Sequence, residues 1–253
     1  MNVYLDNNII IDIEQEIYTR NELLVKIGEP QAKIFYSAVH LAEADEMKGI
    51  DKEQKLAKRC QTITDITSNN YLHLDANSHT AYKQIITPQE ILKRQKYWTK
   101  NSTSGALQKT KLSNISKEQR VLFRELLGID SKQINNYSVS DIINQFENNK
   151  DKFGNMNLNE LIKTATMIEL KRPATIVTKI VSTFELLDLI GYWKDVYTTK
   201  SDFARSQDSQ HCVLASECDY FVSNDKRTRN KSRLVFQIFD INTKVVDSNG
   251  IES

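Results

Sequence analysis

The stretch D-S-Q-H-C-V-L-A-S-E-C-D-Y-F-V-S-N-D, residues 208–225, decides how the chain is read. A helix-like run leads into the apolar strand Tyr220-Phe221-Val222-Ser223, which stops at Asn224-Asp225 ahead of a basic, helix-forming run. An acid at the carboxyl end of a buried parallel strand lies at the rim where open α/β sheets place their sites. The chain start has the same form. Val3-Tyr4-Leu5 ends in Asp6, and Asn7-Asn8 and a helix predicted over 9–20 follow. Two strands ending in Asp, with Asp208 at a predicted helix start, would bring three carboxylates together. Clustered carboxylates repel one another, and a divalent cation is the usual resolution.

The 253 residues suffice for one large domain or a domain with a sizeable insertion. A net charge of +1 leaves global charge silent about partners. No apolar run approaches membrane-spanning length, so no membrane is expected as a partner. The N-terminus lacks the basic and apolar regions of a signal peptide. Cys60, Cys212 and Cys218 are odd in number and irregularly spaced, unlike a disulfide framework or a zinc knuckle. Reduced thiols in a cytoplasmic protein are the simplest reading.

Outward from the two ends, Ile34 to Ser37 reads as a second strand and Ala38 to Met47 as a helix carrying His40 and Glu43. Lys52 to Thr67 is a further helix, Tyr71 to Leu74 a third strand ending at Asp75, and about Asn77 to Ile86 another helix. This alternation predicts a parallel sheet covered by helices. From Pro88 to about Ile190 no strand is predicted. Helices are expected at 88–98, 116–127, 139–148, 158–171 and 173–190, with Ser116 and Gln119 forming a capping box. Segment 99–115 is polar and reads as a mobile loop. The α/β pattern resumes near 200 and ends with a helix over 226–239 and a strand at 243–246.

Four pieces in order resemble the PIN-domain nucleases. They are V-Y-L-D-N-N-I-I-I-D-I at 3–13, Y-S-A-V-H-L-A-E-A at 36–44, N-Y-L-H-L-D at 70–75 and D-S-Q-H-C-V-L-A-S-E-C-D-Y-F-V-S-N-D-K-R at 208–227. The resemblance implies an α/β fold with a PIN-like central parallel sheet flanked by helices. That nuclease domain is discontinuous, 1–86 and 200–253, and 87–199 is a large all-helical insertion. It implies Asp6, Glu43, Asp208 and Asp225 as catalytic metal ligands for Mg²⁺ or Mn²⁺, with Asn8 and Ser223 as supporting polar residues. The implied activity is phosphodiester hydrolysis by an endoribonuclease, a toxin or defence effector with an antitoxin-like inhibitor protein as partner. A homodimer is compatible with it. A DNA nuclease with the same core and a catalytically silent nucleic-acid-binding module are the alternatives.

Each residue also has a plainer reading. Asp6 or Asp225 alone suits a helix N-cap, and Glu43 alone a solvated helix position with Asp45 and Glu46 as competitors. Asp219 precedes its strand and reads as structural, and Asp12 as exposed. His40 with Glu43, and Asp208 with His211, share helix faces at spacing three. A mixed His/carboxylate site is the sharper reading of those pairs, and buried, hydrogen-bonded histidines the plainer one. Between residues 83 and 124, ten basic residues face two acidic ones, a local +8 with Tyr97 and Trp98 inside it. Lys93, Arg94, Lys96 and Trp98, with Lys226 and Arg227 from the second basic run, are the candidate nucleic-acid contacts. A solvated helix face is the alternative.

Overall fold

The computed structural model describes residues 1–75, 80–101, 116–130, 132–170, 174–194 and 199–252, apart from the side chains of 95–101, 117, 165, 168–170 and 199–205. The chain divides into two compact units. One comprises 1–107, 210–229 and 242–253, and the other 108–209 and 230–241. The first is α/β. Its described residues form a four-stranded parallel sheet in the order β2 (Lys33–Phe35), β1 (Asn2–Leu5), β5 (Tyr220–Val222), β6 (Lys244–Val246). These strands read as apolar runs because their residues are buried on both faces: Val3, Tyr4, Leu5, Phe221 and Val222 have no exposed surface. A parallel bridge from Tyr36 to Tyr71 places β3 (Asn70–Leu74) beyond β2. The order reverses direction at β1, which has β2 on one side and β5 on the other.

The helices of this unit are α1 (Asn7–Glu14), α2 (Arg20–Lys26), α3 (Ala38–Asp45), α4 (Lys52–Thr67) and α5 (Pro88–Asn101). One apolar cluster runs from Val3, Leu5, Ile9 and Ile10 through Leu41, Leu56 and Ile63 to Val222 and Val246. The helix predicted over 9–20 stops at Glu14. Glu16 adopts the left-handed conformation, and α2 starts afresh from a Thr19–Glu22 capping box. The helix predicted over 77–86 is overturned more completely. Residues Ala81–Ile85 are strand β4, antiparallel to β3. Four of its five residues are exposed, so no buried face imposes an alternating pattern on the sequence. Backbone pairing to β3 holds it instead.

The second unit is helical in its described residues: α6 (Lys117–Leu126), α7 (Val139–Glu147), α8 (Leu158–Leu170) and α9 (Ile176–Ile190). The Ser116–Gln119 capping box is present. α9 begins at Ile176 because Thr175, with Thr178, caps it there. Two helices pass from one unit to the other, α10 (Thr199–Ala215) and α11 (Lys226–Ile238). The α5 helix belongs with the sheet and residues 230–241 with the helical unit, so the insertion's edges differ from 87 and 199. Most of the polar segment 99–115 lies outside the described residues. Among those described, no helix is long and apolar enough to cross a membrane.

Lys231 belongs by composition to a solvated basic run. It is buried in the helical unit instead, with Nζ 2.6 Å from Asp188 Oδ1 and 5.9 Å from the centre of the Phe184 ring. Removing one partner strands a buried charge. Lys231→Met is expected to cost about 3–5 kcal/mol in urea denaturation, and a cost below about 1 kcal/mol would contradict a buried ion pair.

Candidate active site

Asp6 follows β1 directly and caps α1, with extended backbone at φ −72° and ψ 156°. Its carboxylate is buried and held by three donors. Oδ1 accepts from the Asn7 amide at 2.7 Å, and Oδ2 from Asn8 Nδ2 and Ser223 Oγ, both at 2.5 Å. A carboxylate has about four lone-pair directions, so one remains on Oδ1. Ser223 follows β5, the strand paired with β1. Its Oγ donates to Asp6 and accepts from Asn8 Nδ2 at 3.2 Å and the Asp225 amide at 3.1 Å. Its proton and lone pairs are therefore committed, and Ser223 acts as a brace. Asn8 Oδ1 accepts from the Asn224 amide at 2.9 Å, tying the two strand ends together.

Asp225 lies beyond the carboxyl end of β5 and is exposed. Its Oδ1 caps α11 by accepting from the amides of Arg227 at 2.7 Å and Thr228 at 3.4 Å. The plain reading of both aspartates as N-caps is thus present in the geometry, alongside their position at neighbouring strand ends.

Glu43 sits on α3, the helix that follows β2. His40 fixes this helix to the end of β1. Its Nε2 donates to the Leu5 carbonyl at 2.8 Å and its Nδ1 accepts from the Ser37 amide at 3.0 Å. Both ring nitrogens are occupied and the ring is neutral, so His40 is a structural clip with no lone pair left for a metal. Burial holds its pKa well below the usual histidine range. Glu43, one turn further along, is partly exposed, and its Oε1 lies 3.3 Å from His211 Nε2 on α10. Glu43 is the sixth of eight residues in α3, inside the helix where the sequence placed it, whereas Asp208 is the tenth of seventeen in α10 and does not begin its helix as the sequence suggested. The polar residues before Asp208 continue the helix to Thr199 without a break. Asp208 belongs to the helical unit.

The sheet's reversal at β1 makes the carboxyl ends of β1 and β5 a topological switch point, the place where α/β sheets bind ligands. Asp6, Asn8, Ser223 and Asp225 are brought together there. Burial raises the Asp6 pKa; His211 and the Ser223 hydrogen bond pull it down, and Glu43 raises it further. A buried carboxylate coupled to a second one favours a cation beside it. The oxygen donors suit Mg²⁺ or Mn²⁺, and Mg²⁺ needs only one or two carboxylates with waters. Among the described residues, no group of three or more His, Cys, Asp or Glu side chains is placed to hold a metal ion.

Several contributors have no sequence signal of their own. Tyr4 reads as a core strand residue, yet its hydroxyl bonds Ser37 Oγ at 2.7 Å and His211 Nδ1 at 2.9 Å. Buried tyrosines need such partners, and that is the clue the sequence offers. Asp12 is half-buried rather than exposed, because it accepts from Asn224 Nδ2 at 2.7 Å and the Tyr18 hydroxyl at 3.1 Å. Arg59 is buried in a two-pronged pair with Glu14 and donates to Asn7 Oδ1 at 3.2 Å. Asp219 accepts from the Asn2 amide at 2.6 Å, at the opposite strand ends.

The basic residues separate into two kinds. Lys93 and Arg94 are exposed on α5, and Lys226 and Arg227 on the first turn of α11. Arg229 is buried and donates to the Ser223 carbonyl at 2.7 Å. Arg124 Nε donates to the Leu189 carbonyl at 3.3 Å within the helical unit. Residues 83–107 of the basic run fall in the first unit and 108–124 in the second, and 102–115 lie outside the described residues. The side chains of Lys96 and Trp98 lie outside the described residues.

No protein-family model, curated protein or solved structure matches the chain.

Asp6 also sets a pH dependence. Its folded pKa is raised, so the folded state holds that proton more tightly than the unfolded chain. Stability from this group is full below the ordinary carboxylate pKa and falls as pH rises through the raised value. In EDTA, the melting-temperature difference between Asp6→Asn and wild type should therefore move in the variant's favour from about pH 4 to about pH 7. A difference independent of pH would contradict this.

Proposed function

We propose that the chain is a divalent-metal-dependent nuclease of the PIN-like kind, hydrolysing nucleic-acid phosphodiesters, with RNA the favoured substrate. The observation that carries this reading is the buried Asp6 carboxylate at the switch point, braced by Asn8 and Ser223 and electrostatically coupled to Glu43. Asp6 and Glu43 would hold an Mg²⁺ or Mn²⁺ ion, with Asp225 as a further oxygen donor. Asp208 joins the set through the resemblance. Such an ion, when bound, lowers the pKa of a coordinated water and neutralises charge on the phosphate.

The chain's own residues supply the setting. Asn8 and Ser223 occupy Asp6 Oδ2 and leave a lone pair of Oδ1 for a ligand. His40 places α3, and so Glu43, against the end of β1. Lys226 and Arg227 sit at a helix N-terminus, where basic side chains oppose the helix dipole. Exposed positive charge there suits a polyanion, which carboxylates alone would repel. The preference for RNA, and a toxin or defence role with an inhibitory partner protein, rest on the resemblance.

Short single-stranded RNA and DNA, incubated with Mg²⁺, Mn²⁺ or EDTA, test the reading. RNA cleavage should require metal, and Asp6→Asn and Glu43→Gln should each lower it by about 100-fold or more. Asp225→Asn is the sharper variant. Asn caps helices as well as Asp does, so melting should hold while cleavage falls. Undiminished cleavage in EDTA, or Asp225→Asn at the wild-type rate with metal in excess, would contradict the proposal. DNA as the preferred substrate would retain the chemistry and replace the substrate.

A further inference from the structure

We infer that His211 is a positioning residue that holds the Glu43 carboxylate for the metal ion, with Tyr4 and Ser37 fixing its tautomer. The inference rests on the metal-site reading above. It starts from a buried chain of polar atoms that a hydrophobic core does not require. His211 is fully buried, its Nε2 lies 3.3 Å from Glu43 Oε1, and its Nδ1 lies 2.9 Å from the Tyr4 hydroxyl. Tyr4 reaches Ser37 Oγ at 2.7 Å, and Ser37 Oγ accepts from the Val39 amide at 3.2 Å.

The donors can be assigned in order. A carboxylate only accepts, so His211 Nε2 carries the proton that points to Glu43. Nδ1 then accepts, and the Tyr4 hydroxyl donates to it. The Tyr4 oxygen in turn accepts from the Ser37 hydroxyl. His40 Nδ1, 3.3 Å from Ser37 Oγ, already takes the Ser37 amide proton and does not compete strongly for the hydroxyl. The ring is also held by contact with its neighbours, with centroids 4.8 Å from His40 and 5.7 Å from Tyr4. Every link thus aims one N–H at Glu43 Oε1. Oε2 has no hydrogen-bond partner among the described residues and is the oxygen left for an ion. Hydrogen bonds of this kind to ligating carboxylates set ligand orientation and metal affinity.

Two amide replacements separate positioning from packing. In His211→Gln the side-chain amide nitrogen can reach the place of the imidazole Nε2 and donate to Glu43. In His211→Asn the shorter amide reaches only the place of Nδ1, so it can meet Tyr4 and not Glu43. The readout is the Mn²⁺ dissociation constant of the full chain, measured by calorimetry and by the spin-resonance signal of free Mn²⁺. Melting temperature serves as the fold check. His211→Asn should weaken Mn²⁺ binding about 10-fold or more, with His211→Gln restoring it to within about threefold of wild type. Tyr4→Phe should weaken binding in the wild-type background and add nothing to His211→Asn. Should His211→Asn fail to fold, Tyr4→Phe carries the test alone, because it keeps both rings in place. Wild-type affinity in Tyr4→Phe and His211→Asn, or His211→Gln as poor as His211→Asn with melting unchanged, would overturn the assignment while leaving the metal site standing. Wild-type protein that binds no Mn²⁺ would overturn the metal site itself, and this assignment with it.

Discussion

The Ser223–Asp6 hydrogen bond joins the ends of two adjacent parallel strands and is the constraint on which the rest of the site depends. A carboxylate at a strand end needs donors once it is out of water. The first turn of α1 provides two, and the strand 217 residues later in the chain provides the third. Fixing Asp6 therefore fixes the spacing of β1 and β5 at their carboxyl ends, the entry of α1, and, through Ser223, the amide of Asp225. Asn224 extends the same lacing to Asp12, Tyr18 and the backbone of Ser248. Arg59 buttresses it from α4 through Glu14 and Asn7.

A second layer of buried polar contacts runs under α3. His40 and Ser37 look like ordinary capping residues in isolation, and together they form a capping box. Their side chains do more than end a helix. One binds the last residue of β1 and the other the hydroxyl of a β1 tyrosine. The orientation of α3, and with it Glu43, is thereby tied to the strand that carries Asp6. Partly satisfied networks of this kind are costly in a low-dielectric interior, whereas satisfied ones make for rigidity. Rigidity of this kind is what the proposed hydrolytic metal site would need.

Much of this is legible in the sequence, for identifiable reasons. Buried parallel strands are apolar without interruption, so β1 and β5 stand out, and so do the acids ending them. Prediction fails where burial leaves no pattern. β4 is an exposed edge strand whose partner, not its periodicity, makes it a strand. The Thr19–Glu22 capping box, which starts α2, straddles the end of what reads as one longer helix. The charges of α11 mislead for the opposite reason. Arg229 and Lys231 look solvated by composition, yet the helix is buried around more of its circumference than one stripe. The chain from Ser37 through Tyr4 and His211 to Glu43 joins residues up to 207 positions apart. No local spacing encodes it, and only the fold brings its members together.

The central claim is that the carboxyl ends of β1 and β5 bind a divalent cation. Paramagnetic broadening tests it directly, with Mn²⁺ added in substoichiometric amounts to isotope-labelled protein and the backbone amide resonances followed. The account predicts that the amides of Asp6, Asn7, Asn8, Glu43 and Asp225 broaden first, while acidic helix starts elsewhere, such as Glu22 and Asp141, remain sharp. Broadening centred on another acidic surface, or none at any of these five amides, would contradict it.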